Sequence, residues 1–354
     1  MSGRMQVTDQ SPALGLGRDA LFLVWGPPTH GPRSQVFARE LGIDIEFVFS
    51  TKRRGVVSAP VKYVQQAART LGLLLRRRPR MVFVQSPPTF AVMSVAAYSA
   101  FTGARYVVDA HSAAMLSPYW TRPRWVYRYL ARRATGTIVT NEYFADIVRG
   151  YGARALVIPD IPTSFPDEGV GPMGGKFNVL VVSTFSPDEP LAEVMAAATG
   201  LPEVTFHVTG DTRRSPGRVP ANAPVNVRFT GFLPTDAYYA LMASSQAVMC
   251  LTTRDHTMQR GACEALWMGR PIITSAWPVL KSYFSHGTVH VDNTAEGIRR
   301  GVEEMLRNYS QHSAEIKALQ TKHRLEWRSA VSSIVQLLIT TPSVDRDRIV
   351  RRVS

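Results

Sequence analysis

Short apolar runs alternate with helically spaced stretches from one end of the chain to the other. No other feature constrains the fold as much, because parallel strands joined by helical crossovers produce this alternation. In the first half the predicted strands are Leu21–Trp25, Ile45–Phe49, Met81–Gln85, Tyr106–Asp109, Thr137–Thr140 and Ala155–Ile158. Helical patterns lie between them at Ser34–Leu41, Pro60–Leu75, Ala91–Phe101, Trp125–Arg133 and Tyr143–Arg149. The second half repeats the order, with strands at Val179–Ser183, Thr205–Thr209, Val225–Thr230, Ala247–Leu251, Pro271–Thr274 and Val289–Val291. Helices are expected there near Leu191–Ala198, Asp236–Ser244, Met258–Met268 and Ala295–Asn308, with a further helical stretch at Ala314–Thr340.

A length of 354 residues suits about two domains at ~150 residues each. The Pro- and Gly-rich stretch Ile158 to Gly175 reads as the connection between them. The expected organisation is a disordered N-terminus (1–18), a doubly wound domain (19–160), a linker (161–175), a second doubly wound domain (176–310), a helical segment (311–342) and a charged tail (343–354). Two such α/β domains facing one another place a ligand cleft at the carboxyl ends of their strands, so the loops after the strands carry the chemistry.

Composition excludes several classes. The two cysteines, Cys250 and Cys263, are too few for a disulfide scaffold or a four-cysteine zinc site, and they suit a reducing compartment. Residues 1–18 lack the apolar core of a signal peptide, and the longest apolar candidate, Phe90 to Phe101, is too short to span a bilayer. The chain therefore reads as soluble and cytoplasmic.

Charge is unevenly distributed. Residues 1–160 hold 21 Lys/Arg and 9 Asp/Glu, a net of +12, whereas residues 161–354 hold 20 and 18, a net of +2. A field this one-sided attracts an anionic surface. The densest cluster, Arg76-Arg77-Arg78-Pro79-Arg80, follows the apolar run Leu71 to Leu75 and ends a helical pattern containing Val61, Tyr63, Val64, Ala67 and Ala68. An amphipathic helix with a basic end favours docking on a membrane, here expected at its inner face. The plainer reading is a solvated helix end whose arginines complement the helix dipole.

Four loops carry candidate site residues. The first strand leads into Gly26-Pro-Pro-Thr-His30-Gly-Pro-Arg33-Ser34, without the G-x-G-x-x-G of a dinucleotide site. The third leads into Gln85-Ser-Pro-Pro-Thr89 and the fourth into Asp109-Ala-His111, where an imidazole can accept a proton or bond a hydroxyl. The densest signal runs from Leu251 to Pro271, with a helix expected to begin near Thr257. Backbone N–H groups at such a helix start suit a diphosphate, and Glu264, about two turns inside, suits a ribose diol.

With these segments in view the chain resembles the GT-B glycosyltransferases, closest to the family-four group. The likeness rests on Arg33-Ser-Gln-Val-Phe-Ala-Arg-Glu-Leu41, Val84-Gln-Ser-Pro-Pro88, Val108-Asp-Ala-His111, Ser183-Thr-Phe-Ser-Pro-Asp-Glu189 and Glu264-Ala-Leu-Trp-Met-Gly-Arg-Pro271. The pairing of the second and fourth of these is similar, more loosely, to chitobiosyl-diphospho-dolichol β-mannosyltransferases. The resemblance implies an α/β GT-B architecture of two Rossmann-like domains, the N-terminal one binding acceptor and the C-terminal one binding nucleotide sugar. It implies that Glu264 is the second acidic residue of an E-x7-E motif that contacts the ribose. The first acidic position falls on His256, with Asp255 beside it. It also implies that His111 contacts the transferred sugar.

The expected catalytic group is His111, Asp109, Asp255 and His256. The expected donor-binding set is Ser183, Thr184, Gly210, Gly231, Thr257, Met258, Gln259, Arg260, Gly261 and Glu264, and the acceptor side is Gly26, His30 and Arg33. No Arg or Lys occurs between Ser183 and Glu189, so diphosphate binding falls to backbone N–H groups, Thr184, Thr257 and Arg260. The reaction expected is metal-independent hexosyl transfer, with no cofactor, from a nucleoside-diphosphate sugar to a lipid-linked or polysaccharide-precursor acceptor in cell-envelope glycan synthesis. The expected partners are the donor, the acceptor and an anionic membrane surface, with no specific nucleic acid. A nucleotide-sugar 2-epimerase of the same fold is the runner-up, but the N-terminal loops offer few carboxylates besides Asp109 and Glu142. A basic nucleic-acid-binding protein is the third reading, and it lacks interleaved aromatics or a recognition module.

Overall fold

The computed structural model describes residues 19–28, 32–49, 59–165, 173, 176–214, 217 and 223–340. The chain forms two compact units. One takes in the chain up to Ile161 and again from Trp327, and the other is Pro162–Glu326. The expected segments 1–18 and 343–354 lie outside the described residues.

The first unit holds β1 (Ala20–Val24), α1 (Pro32–Leu41), β2 (Asp44–Phe47), α2 (Ala59–Arg77), β3 (Met81–Ser86), α3 (Thr89–Thr102) and β4 (Arg105–Ala110). Two short helices follow, α4 (Ser112–Leu116) and α5 (Pro118–Thr121), then α6 (Arg124–Arg133), β5 (Gly136–Val139), α7 (Glu142–Gly150) and β6 (Ala155–Val157). Its sheet is parallel, in the order β2-β1-β3-β4-β5-β6. Strand residues alternate faces. Leu21, Leu23, Val82, Val84, Tyr106 and Val108 pack under α2, α3, α6 and α7. Phe22, Phe83 and Val107 face the other way, toward Phe37 of α1.

The second unit holds β7 (Phe177–Val181), α8 (Leu191–Thr199), β8 (Val204–Thr209), β9 (Val227–Gly231), α9 (Thr235–Ser244), β10 (Ala247–Cys250), α10 (Arg260–Trp267) and β11 (Ile272–Ser275). It continues with α11 (Pro278–Tyr283), β12 (Thr288–Val291) and α12 (Ala295–Arg307). This sheet is also parallel, in the order β12-β11-β10-β7-β8-β9. The strand order reverses between β7 and β10, the point at which open α/β sheets bind ligands. One face packs under α8 and α12, and the other packs under α9, α10 and α11.

The last helix, α13 (Tyr309–Thr340), runs from one unit into the other. Ile316 and Leu319 lie in the second unit's core, whereas Trp327, Val331, Ile334 and Val335 complete the first unit's core. Trp327 meets Phe37 edge-on at 5.6 Å between ring centroids. The helical segment expected at 311–342 thus begins earlier and serves both cores. Periodicity marks a helix's apolar face without saying which core it covers. The expected linker is also packed where it is described: Ile161 lies in the first core, and Phe165 meets Tyr239 of α9 edge-on at 4.7 Å.

Candidate functional site

In the second unit, the loop after β7 closes around a carboxylate. Glu189 accepts the Ser183 hydroxyl at 2.6 Å, the Thr184 amide at 3.0 Å, the Thr184 hydroxyl at 2.8 Å and the Ser186 amide at 3.3 Å. Ser183 and Thr184, expected to offer donors to a diphosphate, therefore offer them to Glu189. A carboxylate fits such converging donors because it has about four acceptor sites.

Asp188 ties this loop to the one after β10. It accepts the Thr252 hydroxyl at 2.8 Å, its backbone carbonyl accepts the Thr253 amide at 2.7 Å, and Arg254 lies 3.4 Å from its carboxylate. Burial raises the Asp188 pKa, but bonds from Ser186 and Thr252 and the Arg254 charge outweigh it, so the net shift is downward. The Thr252 carbonyl accepts from Trp277 Nε1 at 2.7 Å and from Asn293 Nδ2 at 2.9 Å. The strand ends of β7, β10, β11 and β12 are joined in one hydrogen-bonded network.

The helix expected near Thr257 starts at Arg260, with Gln259 at the N-cap position making no side-chain cap bond. Thr257 and Met258 lie in the preceding loop. A local turn delays the helix: Asp255 accepts the His256 amide at 2.6 Å, and His256 adopts a left-handed φ of 59°. Asp255 and His256 also pair through side chains at 3.5 Å.

Glu264 accordingly sits one turn inside α10 rather than two. Its carboxylate accepts Arg260 Nε at 2.8 Å, the Tyr238 hydroxyl at 2.9 Å and the Tyr239 hydroxyl at 3.4 Å. Only 7% of the residue is exposed. Burial and the neighbouring Glu264 charge push the Tyr238 phenol up, so it remains a donor. The Cys250 thiol, buried at the end of β10, is raised first by burial and then by Glu264 and Glu189. The two carboxylates thus act on one point at the strand reversal.

Two expected donor glycines have packing reasons. A Cβ on Gly261 would stand 2.8 Å from Cys250 Sγ and from Val182, so glycine lets α10 approach the sheet. Gly210, at φ +121°, would place a Cβ 2.7 Å from the Ser183 carbonyl. Gly231 ends β9, and its carbonyl accepts the Gly210 amide at 3.3 Å.

The first unit gathers a second group. Asp109, 1% exposed as the penultimate residue of β4, lies 3.3 Å from His111 Nε2 and 3.9 Å from Arg33. Burial pushes the Asp109 carboxyl up, but His111 and Arg33 outweigh it, and the net shift is downward. A carboxylate at Nε2 keeps the proton there, leaving Nδ1 of the neutral ring as the acceptor. Arg33 also donates to the Ile158 carbonyl at 3.3 Å, and Ser34 donates to Gln85 at 2.9 Å. Gly26 is buried after β1. His30 lies outside the described residues.

Sequence reasoning missed Asp188, Glu189, Tyr238, Tyr239, Thr252 and Gln85 as members of these networks. Asp188 and Glu189 were visible as paired acids after a strand. The tyrosines gave no signal, because their partner is on another helix. Among the described residues, no three His, Cys, Asp or Glu side chains gather as metal ligands.

Residues 15–160 match the model of a glycosyl transferase 4-like domain, and residues 189–332 match that of a glycosyl transferase-like domain. No curated protein sequence matches significantly. Among solved structures, Anabaena HepE in complex with UDP and glucose superposes with a TM-score of 0.67 at 15% identity, covering 91% of this chain and 100% of that one. Sucrose-phosphate synthase from Thermosynechococcus elongatus gives 0.64 at 12% identity, covering 89% and 99%. The UDP-GlcNAc 2-epimerase from Neisseria meningitidis bound to UDP-GlcNAc gives 0.58 at 10% identity, covering 91% and 100%.

Proposed function

The chain belongs to the family-four-like GT-B glycosyltransferases, and we propose that it transfers a hexosyl group from a nucleoside-diphosphate sugar held by its second unit to a lipid-linked or polysaccharide-precursor acceptor in cell-envelope glycan synthesis. The observation that carries the donor reading is Glu264, a nearly buried carboxylate fixed by Arg260 and Tyr238 beside the strand reversal. A carboxylate held this way accepts both hydroxyls of a ribose with little ordering left to do. Structures solved with UDP and with UDP and glucose among the superposing folds support this class of donor.

The chemical demand is modest. As the nucleoside diphosphate departs, negative charge builds on its oxygens and positive charge on the anomeric carbon. Donors at the start of α10, with the Arg260 guanidinium, are the second unit's means of stabilising the leaving group without a cofactor. In the first unit, His111 is the proposed contact to the transferred sugar or the acceptor hydroxyl, and Asp109 holds its ring in one tautomer. Asp255 and His256 are proposed to complete the donor side, and Gly26, His30 and Arg33 the acceptor side.

The acceptor class and a peripheral place on the inner membrane face are supported by the net +12 of residues 1–160. Among the described residues no helix is long and apolar enough to cross a membrane. Of the two carboxylates that the first unit's loops offered to an epimerase, Glu142 is exposed and paired with Arg149 at 2.7 Å, which leaves Asp109 to that reading. Transfer of radiolabelled sugar from a panel of nucleotide sugars to a lipid extract tests the proposal. Labelled lipid that disappears in Glu264→Ala is the expected result, and an enzyme inert with every donor overturns it.

A further inference from the structure

Helices α2, α3 and α6 lie side by side over one face of the first unit's sheet and share one core. Their outward faces do not look like an ordinary solvated surface. On α2, Val61, Val64, Ala68 and Leu75 are exposed at spacings of three, four and seven, which places them on one outward stripe while Gln66, Thr70 and Leu74 point inward. Val64 is 69% exposed. Helix α3 contains no charged residue, yet it turns Phe90, Met93 and Phe101 outward, with Phe101 87% exposed. The two stripes join where Tyr63 meets Phe90 at 4.8 Å between ring centroids. On α6, Trp125, 71% exposed, and Tyr129 alternate with Arg124 and Arg128. Contiguous exposed apolar surface of this kind marks an interaction site.

Its charge narrows the partner. Residues 59–141 carry 12 Lys and Arg and one acidic residue, Asp109, which is buried. The outward face therefore offers no negative side chain from this stretch. Among the described residues, Arg76, Arg78, Arg124 and Arg128 have no acidic side chain within 4.0 Å. Apolar and aromatic side chains bordered by arginines match the boundary between hydrocarbon and anionic headgroups. A second copy of the same face would bring like charges together, and nucleic acid offers no hydrocarbon to receive Phe101.

We infer that the α2–α3–α6 face is a docking surface for an anionic lipid bilayer. The inference deepens the membrane-facing part of the proposed function and rests on it. Phe101, Val64 and Trp125 enter the headgroup boundary, while Arg76 and Arg78 engage lipid phosphates. The shallow, paired attachment is reversible and needs both the apolar and the basic contributions.

Co-sedimentation of the full chain with vesicles tests it. The protein is expected to pellet with vesicles containing phosphatidylglycerol and to stay in solution with phosphatidylcholine alone. The double variant Arg76→Gln/Arg78→Gln should partition on the order of 30-fold less, and Phe101→Ser roughly tenfold less. Arg39→Gln, on α1 at the opposite sheet face, should bind as wild type. Because these side chains are exposed, unchanged melting temperatures confirm folding. Trp fluorescence gives a second reading: a blue shift on anionic vesicles that is lost in Trp125→Phe. Absence of binding to either vesicle, variants that bind as wild type, or tighter retention on duplex DNA that Phe101→Ser leaves unchanged would each overturn the inference. A nucleotide-dependent melting shift measured on the same samples separates the readings. Retained nucleotide binding without vesicle binding removes the docking surface alone, and vesicle binding without nucleotide response removes the donor site alone.

Discussion

The Arg260 guanidinium lies 2.8 Å from the Glu264 carboxylate, one turn along the same helix. The pair is intrahelical, but Glu264 is largely withdrawn from water, so its loss removes the acceptor from the Tyr238 hydroxyl. Glu264→Ala is expected to lower stability by about 1–3 kcal/mol and to weaken nucleoside-diphosphate affinity by about 10–100-fold, as expected for losing charged hydrogen bonds to a diol. Calorimetric titration and a thermal melt on the same variant measure the two effects. Glu264→Gln, which preserves shape, should recover most of the stability but not the affinity.

Tyr238 and Tyr239 test how the carboxylate is oriented. The Tyr238 hydroxyl donates at 2.9 Å, and the Tyr239 hydroxyl reaches only 3.4 Å. Tyr238→Phe should therefore cost about 1 kcal/mol, while Tyr239→Phe should cost a small part of that. Equal losses in chemical denaturation would show that the two tyrosines share the carboxylate evenly.

Much of this arrangement was legible beforehand. Among the described residues all twelve strands lie within a few residues of the expected positions, most plainly the central ones, because a strand buried on both faces is a continuous apolar run. Leu21–Trp25 against the observed Ala20–Val24 is typical. Asp109, His111 and Glu264 could be singled out by their places after strands, and the structure brings Asp109 within 3.3 Å of His111. Glu189 could not: the sequence shows an acid after Ser183-Thr184, but only the folded loop reveals that this acid occupies donors expected to serve a diphosphate. The late start of α10 was hidden too, because the competing Asp255–His256 turn is a side-chain contact rather than a period. Trp327 illustrates the same limit at long range, since its partner Phe37 lies nearly the whole chain away.

Glu189 should behave as the brace of its loop. Glu189→Ala removes one acceptor from Ser183, two from Thr184 and one from Ser186. Ser183 is buried and Ser186 half-buried while Thr184 is exposed, so a loss of about 1 kcal/mol is the expected outcome. Hydrogen exchange should rise at the Thr184 and Ser186 amides while the β8 amides stay protected, and uniform exchange across the unit would contradict the local role.

Asp109 carries a pH signature. Its carboxyl titrates below the ordinary aspartate value of about 3.9. A carboxylate with a depressed folded pKa stabilises the fold above the unfolded value, and that contribution is lost as pH falls through the folded value. Melting temperature should therefore fall more steeply below about pH 3.9 in the wild type than in Asp109→Asn, which should start lower at neutral pH. Parallel curves from pH 5 downward would count against the pairing with His111 and Arg33.

His111 and Glu264 should divide the kinetics between them. With a working donor, His111→Ala should lower kcat by about 10²–10⁴-fold, as for loss of a proton-transfer group, and leave donor affinity near wild type. Steady-state assays against calorimetric affinity check the split, and a loss confined to affinity would move His111 out of the reaction.

The second unit is proposed to grip a nucleoside diphosphate through Glu264. Thermal melts of the wild type and Glu264→Ala in UDP, GDP, TDP and ADP test it most directly. A ligand at a hundredfold excess over its Kd stabilises the folded state by about 2.7 kcal/mol. At least one of the four is expected to raise the wild-type melting temperature, and Glu264→Ala to lose most of that rise. No shift with any nucleotide, or a shift that Glu264→Ala leaves intact, would contradict it.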